Sequence, residues 1–311
     1  DFHQPVLLEE VIKYLEPKPG ENFIDCTLGG SGHTEEILKL NGPSGKVLGI
    51  DLDPLAIKTA QEATKKYKNR TIFVQDNFRN LKRILKDCHF GQVDGILLDL
   101  GLSSGQLQDQ GRGFSFLAEG SLDMRFGGQS NLTAEKIINT YNEKDLIEIF
   151  KNYGEERLAK PIAQRIVAKR KELAITRPEQ LVEIVAEVYH KYFHNKSKTN
   201  PATKIFQALR IAVNEELDNL KLILPPAAEA LKKNGRLVVI SYHSLEDKMV
   251  KDFFRAESRD CLCPPAMPVC QCHHKKSLKI ITPKPIEPSW EEIAANPRSR
   301  SAKMRVAQKI N

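Results

Sequence analysis

Apolar and polar positions along the chain follow two regimes. From Val6 to Leu15, residues Leu7, Leu8, Val11, Ile12 and Leu15 fall on one helical face and predict an amphipathic helix against a sheet. Short apolar runs then alternate with helical spacing. Phe23-Ile24 precedes a glycine turn, and helical spacing returns from Glu35 to Leu40. Lys46 to Asp51 is a second strand, followed by a helix with Asp53 as N-cap and Pro54 at its first position, running to about Tyr67. Thr71 to Gln75 and Val93 to Asp99 complete four strands, the last apolar enough for the middle of a parallel sheet.

Beyond Gly101 the alternation stops. A stretch rich in turn formers runs to Phe116, and long ordered loops at such places usually carry function. Helical patterns follow at Thr133–Tyr141, Glu143–Asn152, Glu155–Lys171, Arg177–Tyr192 and Thr203–Leu224, with no strand among them. Gly235 to Ser241 resumes the sheet, and Leu278–Ile281 and Met304–Ala307 close it. The expected class is α/β: a Rossmann-like sheet from residues 1–110 and 206–311, with a mostly helical substrate domain inserted at 111–205.

The strand ends carry the candidate chemistry. Asp25 ends the first strand beside Gly29-Gly30-Ser31-Gly32, a turn permitting close backbone approach to a ligand. The dinucleotide fingerprint needs a further glycine three positions on, where this chain has Glu35. More tellingly, the Asp25 carboxylate at the strand end repels a pyrophosphate but attracts a cation. S-adenosylmethionine carries an ammonium and a sulfonium and no phosphate, so it is the expected cofactor. Asp51, 21 positions after Gly30, suits a carboxylate on ribose hydroxyls. Phe78 is a candidate to stack on adenine and equally a packed core aromatic. With Asp99 at the fourth strand end, Asp25, Asp51 and Phe78 are expected around one crevice at the carboxyl edge of the sheet.

Charge adds a partner. The chain carries a net +7, and Lys151 to Arg210 alone holds 13 Lys or Arg against 6 Asp or Glu, so the whole excess sits there. It includes Lys160, Arg165, Lys169, Arg170, Lys171, Lys196, Lys198, Lys204 and Arg210, and predicts a polyanionic partner such as RNA. Asn296 to Lys303 offers further cations. No apolar run approaches the about 18–20 residues of a membrane span, and the amino-terminal residues hold no signal-peptide core, so a cytoplasmic location is expected. Six cysteines are expected to stay reduced there.

Several motifs carry a family resemblance: His3-Gln4-Pro5-Val6-Leu7, the glycine turn through His33, Asp99-Leu100-Gly101-Leu102-Ser103-Ser104, Arg112-Gly113-Phe114-Ser115-Phe116 and Leu122-Asp123-Met124-Arg125. To these are added Tyr153-Gly154-Glu155-Glu156, Pro201-Ala202-Thr203, Phe206-Gln207-Ala208-Leu209-Arg210-Ile211, His243-Ser244-Leu245-Glu246-Asp247 and Asn296-Pro297-Arg298-Ser299-Arg300-Ser301. Over nearly its whole length the chain resembles the bacterial ribosomal RNA small-subunit methyltransferase H family, also called MraW. The resemblance implies an S-adenosylmethionine-dependent methyltransferase acting on the exocyclic N(4) amine of a cytidine in the decoding region of small-subunit (16S) rRNA, within the small ribosomal subunit. It implies cofactor contacts at Ser31, Gly32, His33, Asp51, Phe78, Asp99 and Gln106. Gly105 stands where the family usually has proline, and Gln108 where it usually has aspartate.

Cytosine's amine is a weak nucleophile, so positioning and proton acceptance are the expected roles. Amino methyltransferases often place Asn or Asp, two prolines and an aromatic after the fourth strand, and Asp99-Leu100-Gly101-Leu102 lacks that motif. Asp99, or another polar group from the helical block, is the candidate acceptor, with His243 a second candidate. Cys261, Cys263, Cys270, Cys272, His273 and His274 are soft ligands by type, but the paired spacing is shorter than zinc-finger spacing, and a reduced loop without metal is expected. A non-catalytic basic RNA-binding module and a dinucleotide oxidoreductase are the alternatives, and acid-lined strand ends disfavour both.

Overall fold

The computed structural model describes residues 5–101, 113–114, 120–127, 131–193, 200–264, 267 and 269–311. Its first elements are α1 (Leu8–Leu15), β1 (Phe23–Asp25), α2 (Gly32–Leu40), β2 (Val47–Asp51), α3 (Pro54–Ala63), β3 (Thr71–Gln75), α4 (Leu81–Asp87) and β4 (Val93–Asp99). Helices follow: α5 (Ala134–Thr140), α6 (Glu143–Asn152), α7 (Ala159–Glu172), α8 (Pro178–Tyr192), α9 (Thr203–Asn214) and α10 (Glu216–Ala230). The chain closes with β5 (Leu231–Ser241), α11 (Ser244–Glu257), β6 (Leu278–Ile280), α12 (Trp290–Ala295) and β7 (Lys303–Lys309). Two compact units result: Asp1–Ser103 with Asp218–Asn311, and Ser104–Leu217.

The first unit holds a seven-stranded sheet in the order β3-β2-β1-β4-β5-β7-β6. The five strands from β3 to β5 run parallel, while β7 runs antiparallel between β5 and β6. This is the Rossmann-like architecture expected, with a reversed strand wedged at one edge. The chain leaves β1 toward β2 on one side and returns to β4 on the other, so the order reverses at β1, where such sheets bind ligands. Both faces are covered. Ile24, Leu48, Ile96 and Val239 pack with Ile223, Leu224 and Phe254 on one side, and Phe23, Leu97 and Val238 pack with Val11, Leu15, Ile37 and Leu38 on the other. Burial on two faces explains why these strands read as apolar runs.

The second unit, among its described residues, is helical around Leu146, Phe150, Ile162, Ile166, Val185 and Leu209. Three expectations are corrected in detail. The helix expected from Thr203 to Leu224 is two, because Glu215 adopts a left-handed φ of 51° between α9 and α10. α10 then continues through Pro225 and Pro226. Each proline forfeits a backbone hydrogen bond, and burial of Leu220, Ile223, Leu224, Ala227 and Ala228 outweighs that loss. α3 stops at Ala63, where the Thr64 hydroxyl bonds back to the Ala60 carbonyl at 2.7 Å, and a short 3-10 segment follows.

Candidate active site

The carboxyl ends of β1, β2 and β4 are tied together by their own polar groups. After β1 the chain turns through Gly29, at φ 47°, and Ser31, at φ 63°, before α2 begins. Asp25 lies beneath this turn, 1% exposed. Its Oδ1 accepts the Thr27 amide at 3.1 Å and its Oδ2 accepts the Thr34 hydroxyl at 2.6 Å. Asp51 accepts the Gly29 amide at 3.0 Å and the Asp53 amide at 2.9 Å. The Ser31 amide goes to the Leu28 carbonyl at 2.6 Å. From β4, the Asp99 amide donates to Thr27 Oγ1 at 2.7 Å. The turn is therefore braced by acids on two adjacent strands, and its Thr27, Gly29 and Ser31 amides are taken up internally.

Electrostatics follow from that packing. Burial pushes the Asp25 carboxyl up to about 7, against hydrogen bonds from Thr34 and Thr27 that favour its charge, and the nearby negative charges of Asp99 and Asp51 push the same way as burial. Asp51 is also raised by burial. Neither Asp25 nor Asp51 forms an ion pair among the described residues. A pyrophosphate needs free amides and positive potential, and the turn offers braced amides and clustered acids. A cationic ligand suits it, which is the chemistry of S-adenosylmethionine rather than a dinucleotide.

The structure gives the expected residues that it describes a defined place. Ser31 is buried, with its hydroxyl on the Gly30 carbonyl at 2.7 Å. Gly32 abuts Pro5, whose ring carbon would lie 2.8 Å from an added Cβ. His33 Nε2 meets the Val6 carbonyl at 2.9 Å. Gly32 and His33 thus dock the Pro5-Val6 segment onto the turn. Phe78 follows β3 in a short 3-10 turn, half-buried against the core that holds Ile24 and Leu48. Asp25 differs from expectation, because both its oxygens point inward to the turn rather than to an open crevice. Gln106, Gly105, Gln108, Lys196, Lys198 and most of the stretch from Gly101 to Phe116 lie outside the described residues.

Tyr242 is the residue that sequence reasoning passed over. Its hydroxyl donates to Asp99 Oδ1 at 2.8 Å, and burial holds its own pKa well above the ordinary value, with Asp99 adding to the effect. Gly101 makes room for it, since a Cβ there would lie 2.5 Å from the Tyr242 ring. His243 is the N-cap of α11. Its Nδ1 accepts the Glu246 amide at 3.4 Å, while Glu246 Oε2 accepts the Tyr242 amide at 2.9 Å. His243 and Glu246 form a capping box at the start of α11. The Nδ1 contact leaves the neutral ring's proton on Nε2, which sits 3.1 Å from Glu246 Oε1 but is too poorly aligned to form a hydrogen bond. In that tautomer Nε2 is a donor, and the ring's observed role is as the cap of α11.

A polar hollow bordered by Glu16, Lys18, Asp94 and Lys233 opens at the amino ends of β4 and β5, the opposite edge from these acids. In the helical unit, part of the basic excess is structural. Arg170 donates to the Ile138 and Tyr141 carbonyls at 2.5 and 2.6 Å, capping α5, and Arg165 and Arg210 pair with Glu187 and Glu216. Lys151, Arg157, Lys160 and Lys171 remain exposed. No helix among the described residues is long and apolar enough to cross a membrane.

Comparison with known proteins gives the family. Residues 1–310 match the MraW methylase family. A protein of Thermomicrobium roseum named ribosomal RNA small subunit methyltransferase H is 49% identical over 308 residues, covering 99% of this chain and 94% of that protein. Proteins of the same name from Clostridium botulinum strain Loch Maree and from Heliobacterium mobile are 47% and 46% identical, covering 99% and 100% of this chain and 99% and 100% of their own length. Matched from end to end in this way, the chain belongs to the MraW methylase family of S-adenosylmethionine-dependent rRNA methyltransferases.

Proposed function

We propose that the chain methylates the exocyclic N(4) amine of a cytidine in the decoding region of small-subunit (16S) rRNA, acting in the cytoplasm on the assembled small ribosomal subunit. The observation that carries the cofactor half of this reading is the braced, acid-lined turn between β1 and α2. The RNA half rests on family membership and on the exposed cations of the helical unit.

S-adenosylmethionine, when bound, supplies an electrophilic methyl on a sulfonium. Its binding falls to Ser31, Gly32 and His33 at the turn, Asp51 toward the ribose, Phe78 toward the adenine, and Asp99 and Gln106. Asp99 also has the catalytic role. The cytosine amine's lone pair is delocalised into the ring, so the chain must hold the amine in line and draw on its hydrogens. Asp99 accepts a hydrogen bond from that amine, and the Tyr242 hydroxyl fixes the carboxylate's orientation while it does so. His243 acts by capping α11 and so holding Tyr242 in register.

The test is transfer of labelled methyl to unmodified small subunits, with naked RNA and DNA alongside, followed by nucleoside analysis. N(4)-methylcytidine from the subunit sample is the expected product. Label on another base, or RNA binding without transfer to any acceptor, would overturn the reading, the second in favour of a binding module.

A further inference from the structure

We propose that Cys261, Cys263, Cys270 and Cys272 form a tetrahedral four-thiolate zinc site that staples the loop between α11 and β6. In sequence the two Cys-x-Cys pairs looked too tightly spaced for zinc. In three dimensions the pairs fold onto each other. Cys261 Sγ lies 3.4 Å from Cys270 Sγ and 3.8 Å from Cys272 Sγ, Cys270 and Cys272 are 3.6 Å apart, and all four sulfurs lie within 4.8 Å of one another. Four sulfurs at about 2.3 Å from a tetrahedral zinc stand about 3.8 Å from each other. The three separations among Cys261, Cys270 and Cys272 are close to that spacing, Cys263 lies within 4.8 Å of all three, and none of the four is in a disulfide.

Backbone amides complete the pattern. Leu262 N–H points at Cys272 Sγ at 3.3 Å, Cys263 N–H at Cys261 Sγ at 3.4 Å, and Gln271 N–H at Cys263 Sγ at 3.4 Å. Amide donors aimed at sulfur are what anionic thiolates require, and they orient metal ligands and moderate their charge. The histidines stand apart from the donor set: His274 bonds the Ala256 carbonyl at 3.2 Å, and His273 takes a left-handed φ of 50° in the turn after Cys272. Four sulfurs in tetrahedral array select a soft metal, and zinc binds them without redox chemistry.

Among its described residues the loop buries little apolar surface. Its base is closed by Ser277, whose amide meets the Glu257 carbonyl at 2.8 Å and whose hydroxyl meets Glu257 Oε2 at 2.5 Å. Above that base, Leu262, Met267 and Val269 are exposed, at 46%, 39% and 69%, so they provide no core. A cross-link through metal replaces the missing burial, as in small domains that cannot bury enough surface.

The test uses the full chain purified under reducing conditions, without chelator and without a metal-affinity step. Elemental analysis is expected to find about one zinc per chain, released stoichiometrically as a mercurial titrates the thiols. Replacement by cobalt(II) should give thiolate-to-cobalt charge-transfer bands and the strong visible bands of tetrahedral coordination. Cys261→Ser with Cys272→Ser should abolish metal uptake, while Cys88→Ser should retain it. Because the metal readouts use the unaltered chain, a variant that fails to fold does not rescue the idea. Reduced protein that takes up no zinc and alkylates readily at all four thiols would overturn the proposal, as would disulfides among them in protein handled anaerobically, or iron in place of zinc.

Discussion

Two loops of the same unit reach order by opposite routes. The turn from β1 to α2 is short and sits on the sheet, its amides held by Asp25 and Asp51 and its entry braced by Thr27 against Asp99. The loop from α11 to β6 is long, its described apolar residues are exposed, and its cysteines are tied by sulfur-to-sulfur and amide-to-sulfur contacts. The first inherits rigidity from a core it shares with Ile24 and Leu48, so whatever disturbs it reaches the ligand site. The second must generate rigidity locally, so what disturbs it should stay local. Buried carboxylates and clustered thiolates are both costly to leave without partners, and each loop answers that cost with its own backbone N–H groups.

The sharpest break between the two lies in the chemistry. Asp99→Asn preserves size and the Tyr242 contact but weakens the acceptor for the amine. Single-turnover methylation at saturating cofactor should fall about 10²–10⁴-fold, the usual range for removing a positioned proton acceptor. Thermal unfolding, followed in parallel, should barely move. A full-rate Asp99→Asn enzyme would remove the strand-end acids from catalysis and leave the turn merely structural.

Next in size is the pH dependence of stability set by Asp25. Its folded pKa of about 7 stands above the ordinary 3.8, so between those values the native state binds the proton and the unfolded state does not. Stability must therefore fall as pH rises through that window and level off above it. From pH 5 to pH 8 the loss attributable to this group is about 2–3 kcal/mol as an upper estimate. Asp25→Asn should remove that slope in denaturant titrations at the two pH values. Equal slopes in parent and variant would mean that the acid is solvated and the turn looser than its hydrogen bonds indicate.

Asp51 tests the cofactor side of the same turn. Asp51→Ala removes the acceptor for the Gly29 and Asp53 amides together with the carboxylate toward the ribose. Calorimetry should show S-adenosylmethionine binding weakened about 10–100-fold, the equivalent of one charged hydrogen bond. Unchanged affinity would place the ribose elsewhere.

Legibility in sequence divides along the same line. β3 and β4 were readable to the residue, as Thr71–Gln75 and Val93–Asp99: in β4 burial on both faces writes a continuous apolar run, while the half-buried edge strand β3 shows as the β-branched and aromatic run Ile72-Phe73-Val74. α6 was equally readable as Glu143–Asn152, with Asn142 capping it through the Asp145 amide. The break at Glu215 was not, since left-handed φ is uncommon for a glutamate and nothing in the neighbouring sequence signals it. In the site, acids at strand ends were visible as residue types, but the inward aim of Asp25 depends on the Thr34 hydroxyl, a full turn of chain away. The Tyr242–Asp99 contact spans 143 positions and leaves no local trace. The cysteines show the reverse failure: their spacing argued against a metal, and only the fold brings the two pairs within bonding range of one ion.

The smallest global effect should come from the sulfur loop, and its smallness is the point. Metal that binds only the folded chain raises stability by mass action, but all four sulfurs lie within a segment of twelve residues, Cys261 to Cys272, which keeps affinity for zinc after the sheet has unfolded. Chelation should therefore lower the unfolding midpoint by no more than about 1 kcal/mol in equivalent stability, and leave S-adenosylmethionine affinity at the parental value. What should change is susceptibility to trypsin at Arg259, Lys275 and Lys276, which flank the cluster, because local opening no longer has to break thiolate bonds. Peptide mapping of brief digests, with and without chelator, separates the cases. Cleavage confined to those sites, with cofactor binding intact, is the signature of a local staple. A chelated protein that loses cofactor binding would show that the two loops are coupled and that the sulfur cluster supports the active site itself.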